Sequence, residues 1–172
     1  MRIIAGTRKG HRIEAPPGRA TRPTSDRVRE NVFNILGAVD EADVLDLYAG
    51  SGAMGLEALS RGAAHAVFVE RDPDAVRAIE RNLDRLHLRA TVLRKDAIAV
   101  VAAETRKYDL VFVDPPYDMY PDLEPQLARH LPSVLADDGV LVVETDARVQ
   151  PALPLELRTS RKYGSARVTV YG

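Results

Sequence analysis

A chain of 172 residues, 45% hydrophobic and 28% charged, has the size and apolar content of one ordinary globular domain with room for a small appendage. It contains no cysteine, which excludes disulfides, thiolate metal sites and a cysteine nucleophile, and its four histidines (His11, His65, His87, His130) lack metal-ligand spacing, so no metal is expected. The net charge of −1 conceals a division: residues 1–34 carry +5 and the remainder −6, so the N-terminal end is either a solvated positive face or a contact for a polyanion.

In chain order, Arg2–Ala5 and Arg12–Ala15 read as two short strands flanking a Gly6–Gly10 turn. Pro16-Pro17-Gly18 breaks the chain, and a helix capped near Thr24 is expected from Asp26 to about Leu36. This is a basic arm, residues 1–36, set before a main domain, residues 37–172. The apolar part of the N-terminus is too short for a signal peptide, and no stretch approaches the roughly 20 apolar residues that span a bilayer. A cytoplasmic protein without a membrane contact is expected. With no obvious extra apolar face, a monomer is expected too.

From Asp43 strands and helices alternate. Val44–Tyr48 is a buried strand ended by glycines, and Ala53–Arg61 a helix. Ala66–Val69 is the second strand. Asp72–Leu86 is an amphipathic helix with Asp72 as N-cap and Pro73 in its first turn. Ala90–Leu93, then a helix over Ala97–Thr105, then the apolar strand Asp109–Val113 follow. Leu123–Leu135 reads as a helix and Gly139–Glu144 as a fifth strand, while Glu156–Arg161 and Arg167–Tyr171 look like an antiparallel pair. Alternation of this kind implies an α/β fold, a mostly parallel sheet covered on both faces, with ligands bound beyond the carboxyl ends of the strands. The polar residues there are Asp46, Glu70, Asp96 and Asp114.

Asp46-Leu47-Tyr48-Ala49-Gly50-Ser51-Gly52 occupies a strand-to-helix turn, where glycines allow backbone to approach a ligand closely. Gly50 to Gly55 also satisfies the dinucleotide pattern G-x-G-x-x-G. An acidic residue four positions before the first glycine would repel a pyrophosphate but suits a ligand with an ammonium and a sulfonium, which favours S-adenosylmethionine over NAD. In that reading Glu70 accepts from the ribose hydroxyls, Asp96 meets the adenine amino group, Ala97 offers a backbone N–H, and Arg71 packs along the nucleoside. The alternative is that these carboxylates merely cap the helices that follow.

Asp114-Pro115-Pro116-Tyr117 follows the fourth strand. An amine conjugated to an aromatic ring is a poor nucleophile, and a carboxylate plus a backbone carbonyl accepting its two N–H bonds favour a pyramidal nitrogen whose lone pair can attack. Two prolines stiffen the loop and preorganise those acceptors, and Tyr117 offers a flat surface for a base. A Pro-Pro turn after a strand is also an ordinary chain reversal. Together the glycine turn and Asp-Pro-Pro-Tyr resemble the class I N-methyltransferases with a D/N/S-P-P-Y/F/W motif.

The arm narrows the resemblance. Met1–Gly6, Arg22–Glu30 and Asn31–Asn34, with Leu56–Ala63 and Val113–Tyr117, are similar to the RsmD family, bacterial enzymes that methylate N2 of one guanine in 16S ribosomal RNA, and the similarity covers essentially the whole chain. That likeness implies a Rossmann-like sheet of seven strands with an antiparallel C-terminal strand, and an RNA–protein substrate, a 30S subunit or its assembly intermediate. It implies that Asp114 and Tyr117 engage the guanine, that Thr24 and Arg27 lie near cofactor and nucleotide, and that Arg2, Arg8, Lys9, Arg12 and Arg22 meet RNA phosphates. Guanine follows from the likeness only, since the motif accepts adenine and cytosine amines as well. A DNA adenine or cytosine N-methyltransferase would need a recognition domain for which little chain remains. A protein-glutamine methyltransferase favours Asn at position 114, and an NAD oxidoreductase would lack its catalytic domain. A non-catalytic RNA-binding protein would bind the cofactor without transfer.

Overall fold

The computed structural model describes residues 1–17 and 24–172; Arg22, one of the expected RNA contacts, lies outside the described residues. The elements are α1 (Asp26–Leu36), β1 (Asp43–Leu47), α2 (Ala53–Ser60), β2 (His65–Val69), α3 (Pro73–Leu86), β3 (Thr91–Leu93), α4 (Ala97–Ala103), β4 (Tyr108–Val113), α5 (Tyr120–Val134), β5 (Leu135–Asp146), β6 (Leu157–Tyr163) and β7 (Ala166–Tyr171). They form a seven-stranded sheet in the order β3-β2-β1-β4-β5-β7-β6. Strands β1 to β5 run parallel, and β7 inserts antiparallel between β5 and β6. The α/β fold expected from the alternation, and the Rossmann-like seven-stranded sheet that the resemblance implies, are the ones observed.

The period of two along each strand divides the core. Val44, Ala66, Phe68, Leu110, Phe112 and Val142 pack with α1, α2 and α3 on one face. Leu45, Leu47, Val67, Val69, Val111, Val113, Leu141 and Val143 pack with α4 and α5 on the other. Being apolar on both faces, these strands read as continuous hydrophobic runs. The strand order reverses between β1 and β4, where Leu47 pairs with Val113. That is the switch point at which such sheets bind ligands.

Local signals set several element ends. Asp72 caps α3 by accepting from Ala75 N–H at 2.9 Å, with Pro73 in the first turn. The α1 cap, expected near Thr24, is Ser25, which accepts from Val28 N–H at 3.2 Å, while the Thr24 hydroxyl points elsewhere. One strand differs from expectation. β5 starts at Leu135, ahead of the expected Gly139, because Leu135 already pairs with Tyr108 before the register shifts.

The two arm strands reduce to one antiparallel bridge, Arg2 to Arg12, closed by Ile3 N–H to His11 O, Gly10 N–H to Ile3 O and Ile13 N–H to Met1 O. The ladder stops because the next donors are taken: Ile4 and Ala5 N–H both bond the Glu57 carboxylate of α2, at 2.9 and 3.1 Å. Ile3 and Ile13 of the arm and Val28, Val32 and Phe33 of α1 are buried in the same apolar cluster as the sheet. Among the described residues, no helix is long and apolar enough to cross a membrane.

Candidate active site

Strand parity gathers the acidic residues. Asp46, Glu70, Asp114 and Glu144 continue the alternation of Val44, Phe68, Phe112 and Val142, so four adjacent strands, β2-β1-β4-β5, present carboxylates on one face at their carboxyl ends. Asp46 Oδ2 accepts from Gly55 N–H at 3.0 Å, tying β1 to α2. Glu70 accepts from Gly50 N–H and Asp72 N–H, each at 2.9 Å, and so braces the glycine turn from β2.

The turn itself is unusual backbone. Tyr48, a non-glycine residue, sits at φ 57, followed by Gly50 at φ 59 and Gly52 at φ 82. A tyrosine in the left-handed region costs about 1 kcal/mol or more and persists only when its surroundings enforce it. A Cβ on Gly50 would meet nothing within 4 Å, so its backbone borders open space. One on Gly55 would come within 2.4 Å of the Phe68 ring. Gly50 therefore keeps room for a ligand, whereas Gly55 lets α2 press against the sheet. Asn82, fully buried on α3, holds the turn from behind by donating to Ser51 O at 3.0 Å and to Glu14 O of the arm at 3.0 Å.

The Tyr48 hydroxyl is buried and has no hydrogen-bond partner among the described residues. Its pKa is pushed up to about 12, by burial first, then by the negative charge of Asp96, against the opposing charge of Arg71. Tyr48, Arg71 and Asp96 therefore stand together beside the turn. Asp96 also caps α4, accepting from Ala99 N–H at 3.0 Å, and Ala97 behind it is buried. A nucleoside carrying a cationic amino-acid end fits this cradle. The unpartnered phenol, the open side of Gly50, and the carboxylates of Asp46 and Glu70 are the groups that would receive it.

Asp46 has its carboxyl pushed up to about 8, by burial, with the Gly55 N–H opposing and the Glu70 charge adding. Asp114 is pushed well above the ordinary carboxylate range, again by burial first and then by the negative charge of Glu144, with the Thr24 hydroxyl opposing. Thr24 Oγ1 lies 3.1 Å from Asp114 Oδ2 and 3.0 Å from Glu144 Oε2, and Tyr117 Oη donates to Glu144 Oε1 at 3.0 Å. Pro115 is buried, and a turn closed by Met119 N–H to Pro116 O at 3.0 Å leads from the loop into α5.

Sequence reasoning placed Asp114, Tyr117 and Thr24 in one site but missed Glu144. The signal was available: a carboxylate ending an apolar strand two positions beyond Val142, in the parity of Asp114.

The basic arm divides in two. Arg8 donates from Nε to Leu86 O at 2.5 Å and from Nη2 to His87 O at 3.3 Å, capping the C-terminus of α3, and Arg2 donates to Gly10 O at 2.8 Å. Lys9, Arg12 and Arg27 are exposed. Arg2, Arg12 and Arg85, with Glu14 and Asp26, border an open groove of about 620 Å³.

The whole chain is similar to known proteins. A family described as conserved hypothetical protein 95 matches residues 1–172. The protein YlbH of Bacillus subtilis is 39% identical over 185 residues, covering 99% of this chain and 98% of its own. Ribosomal RNA small subunit methyltransferase D of Escherichia coli K12 is 38% identical over 160 residues, covering 90% of this chain and 78% of its own. The solved structure of yhhF from Escherichia coli superposes with a TM-score of 0.86 at 35% identity, covering 99% of this chain and 96% of that one.

Proposed function

This chain belongs to the RsmD family, and on that premise we propose that it methylates the exocyclic N2 of one guanine in 16S ribosomal RNA. It is an S-adenosyl-L-methionine-dependent methyltransferase of small-subunit ribosomal RNA. The observation that carries the reading is the position of Asp114 and Tyr117 at the end of β4, across the switch point from the glycine turn at the end of β1. A base amine on the loop would then meet a cofactor on the turn.

When bound, S-adenosylmethionine supplies an electrophilic methyl group on a sulfonium. The chain's own residues prepare the acceptor. Tyr117, its hydroxyl anchored on Glu144, presents its ring as a stacking surface for the base. Asp114 accepts an N–H of the amine, orients the nitrogen lone pair and stabilises the positive charge that develops there. Pro115 and Pro116 hold the loop so that little reorganisation is left to the reaction. On the cofactor side, Glu70 and Asp96 are the acceptors for ribose hydroxyls and the adenine amine, Ala97 the backbone donor, Arg71 the nucleoside flank, and Tyr48, Ala49, Gly50, Ser51 and Gly52 the turn around the amino-acid end, with Asp46 beneath it.

The arm, residues 1–36, supplies RNA contact to the methyltransferase part, residues 37–172. Among its described residues Arg2, Lys9, Arg12 and Arg27 are exposed cations, and the groove bordered by Arg2 and Arg12 would follow a phosphate backbone. The target guanine is extruded or already unpaired, within a 30S subunit or assembly intermediate, and the enzyme acts as a monomer in the cytoplasm. The test is transfer of labelled methyl to naked 16S RNA, isolated 30S particles, duplex DNA or protein extract, followed by identification of the nucleoside. N2-methylguanosine in 30S particles is expected. Label in adenine or cytosine of DNA would reassign the substrate, and cofactor binding with no transfer to any arm would make the protein a binding module.

A further inference from the structure

Glu144 lies at the centre of a hydrogen-bonded chain that no motif predicted. Its Oε1 accepts from Tyr117 Oη at 3.0 Å, while its Oε2 and Asp114 Oδ2 converge on Thr24 Oγ1 at 3.0 and 3.1 Å. Thr24 has a single hydroxyl proton and can donate to only one carboxylate at a time. The second contact is attractive only when a carboxyl group carries a proton and donates it to the hydroxyl oxygen. One proton held between the two acids satisfies both contacts. Like charges brought this close in a half-buried site do not both ionise readily.

We propose that Glu144 is a positioning residue that shares one proton with Asp114 across the Thr24 hydroxyl and anchors Tyr117, so that acceptor and stacking ring meet the base as one unit. This rests on the base-methylation reading above. With the shared proton on Glu144, Asp114 is a carboxylate and accepts the amine N–H. Once the nitrogen has used its lone pair to form the N–CH3 bond, with the donor's S–CH3 bond broken and its electron pair left on sulfur, the nitrogen carries one proton too many. Its N–H bond breaks, the electron pair stays on nitrogen, and an O–H bond forms on Asp114. The pair passes from one proton and charge −1 to two protons and charge zero, and then releases one to water. Among the described residues, the groups facing Asp114 include Glu144 from β5, Asp46 from β1 and Thr24 from the segment before α1, with Tyr117 facing Glu144 from the loop.

The pair is tested first without any reaction, by carboxyl ¹³C NMR titration of the cofactor-free protein. Asp114 should titrate well above the ordinary carboxylate range in the wild type. In Glu144→Gln it should move down by about a unit or more, because a like charge is gone. Thr24→Val, which removes the bridging hydroxyl, is the second variant and should change the same titration. Asp114 titrating identically in the wild type and both variants would overturn the proposal.

In the methyl-transfer assay, Glu144→Gln keeps an acceptor for Tyr117. Its plateau kcat should fall about threefold, against about tenfold or more for Glu144→Ala, with KM for the cofactor unchanged. The acid limb of kcat should move to lower pH in Glu144→Gln. Adding Tyr117→Phe to Glu144→Ala should cost nothing further. Equal losses at every pH for Gln and Ala would mean a structural role and overturn the proposal. A coupled titration in a protein that transfers methyl to no RNA would leave the shared proton standing and remove the base-methylation reading instead.

Discussion

Glu57 of α2 accepts from Arg29 Nε of α1 at 3.1 Å, and neither side chain has any exposed surface. The same carboxylate accepts from Arg61 Nε at 2.8 Å and from the Ile4 and Ala5 amides, while Arg29 also reaches Asp26 at 2.9 Å and bonds the Arg2 carbonyl. One buried acid thus fastens arm, α1 and α2 together. Removing one partner strands the other in a dry core, so Glu57→Gln or Arg29→Met should cost roughly 3–5 kcal/mol by urea denaturation. Hydrogen exchange at Ile4 and Ala5 should accelerate in Glu57→Gln before the sheet amides respond. A loss confined to a few tenths of a kcal/mol would mean the network is not what anchors the arm.

Asp114→Ala should lower turnover about a hundredfold or more while cofactor affinity, read by calorimetry, stays within about twofold. The separation is expected because Asp114 lies on the β4 loop and the cradle is built from β1, β2 and the start of α4. Comparable turnover would remove Asp114 from the chemistry. A parallel collapse of cofactor binding would place it in the cradle.

Stability should depend on pH through Asp46. Burial raises its folded pKa to about 8 from an ordinary 3.8, so the folded state holds this proton more tightly than the unfolded chain. A raised carboxyl contributes its stability fully below the unfolded pKa and loses it as pH rises through the folded one. Wild-type stability should therefore decline between about pH 4 and pH 8 more steeply than that of Asp46→Asn, which keeps an acceptor for Gly55 N–H but cannot ionise. Urea midpoints of the two proteins at pH 5 and pH 8 decide it, and parallel pH dependence would contradict the expectation.

RNA binding should become less sensitive to salt when the exposed arm cations are neutralised. Lys9→Gln, Arg12→Gln and Arg27→Gln together should flatten the log–log slope by about 0.7–0.9 for each phosphate that is no longer neutralised. Arg8→Gln should change the slope less and lower the Tm instead, because its guanidinium caps α3. Substitution is the informative route here: deleting the arm would also strip Ile3 and Ile13 from the core. An unchanged slope in the triple variant would assign the arm to something other than RNA.

Much of this molecule is written in short windows of its sequence. Apolar runs of strand length alternating with helical spacing announce the sheet, Asp72-Pro73 announces the start of α3, and Gly50 and Gly52 announce a turn that needs positive φ. Asp114-Pro115-Pro116-Tyr117 at the end of an apolar strand announces the stiff loop that follows β4. Each depends on the conformational preferences of a few neighbouring residues, which act without reference to the rest of the chain.

Pairings between distant polar groups obey no such window. Glu57 finds Arg29 across 28 residues, Asn82 finds Glu14 across 68, and Thr24 finds Asp114 across 90 and Glu144 across 120. Burial makes an unpartnered polar group costly, but which partner relieves that cost is set by strand order and by the face each strand turns toward its helices. Thr24 could serve as a helix cap in the linear text. The β4–β5 adjacency brought two acids to its hydroxyl and left the cap to Ser25.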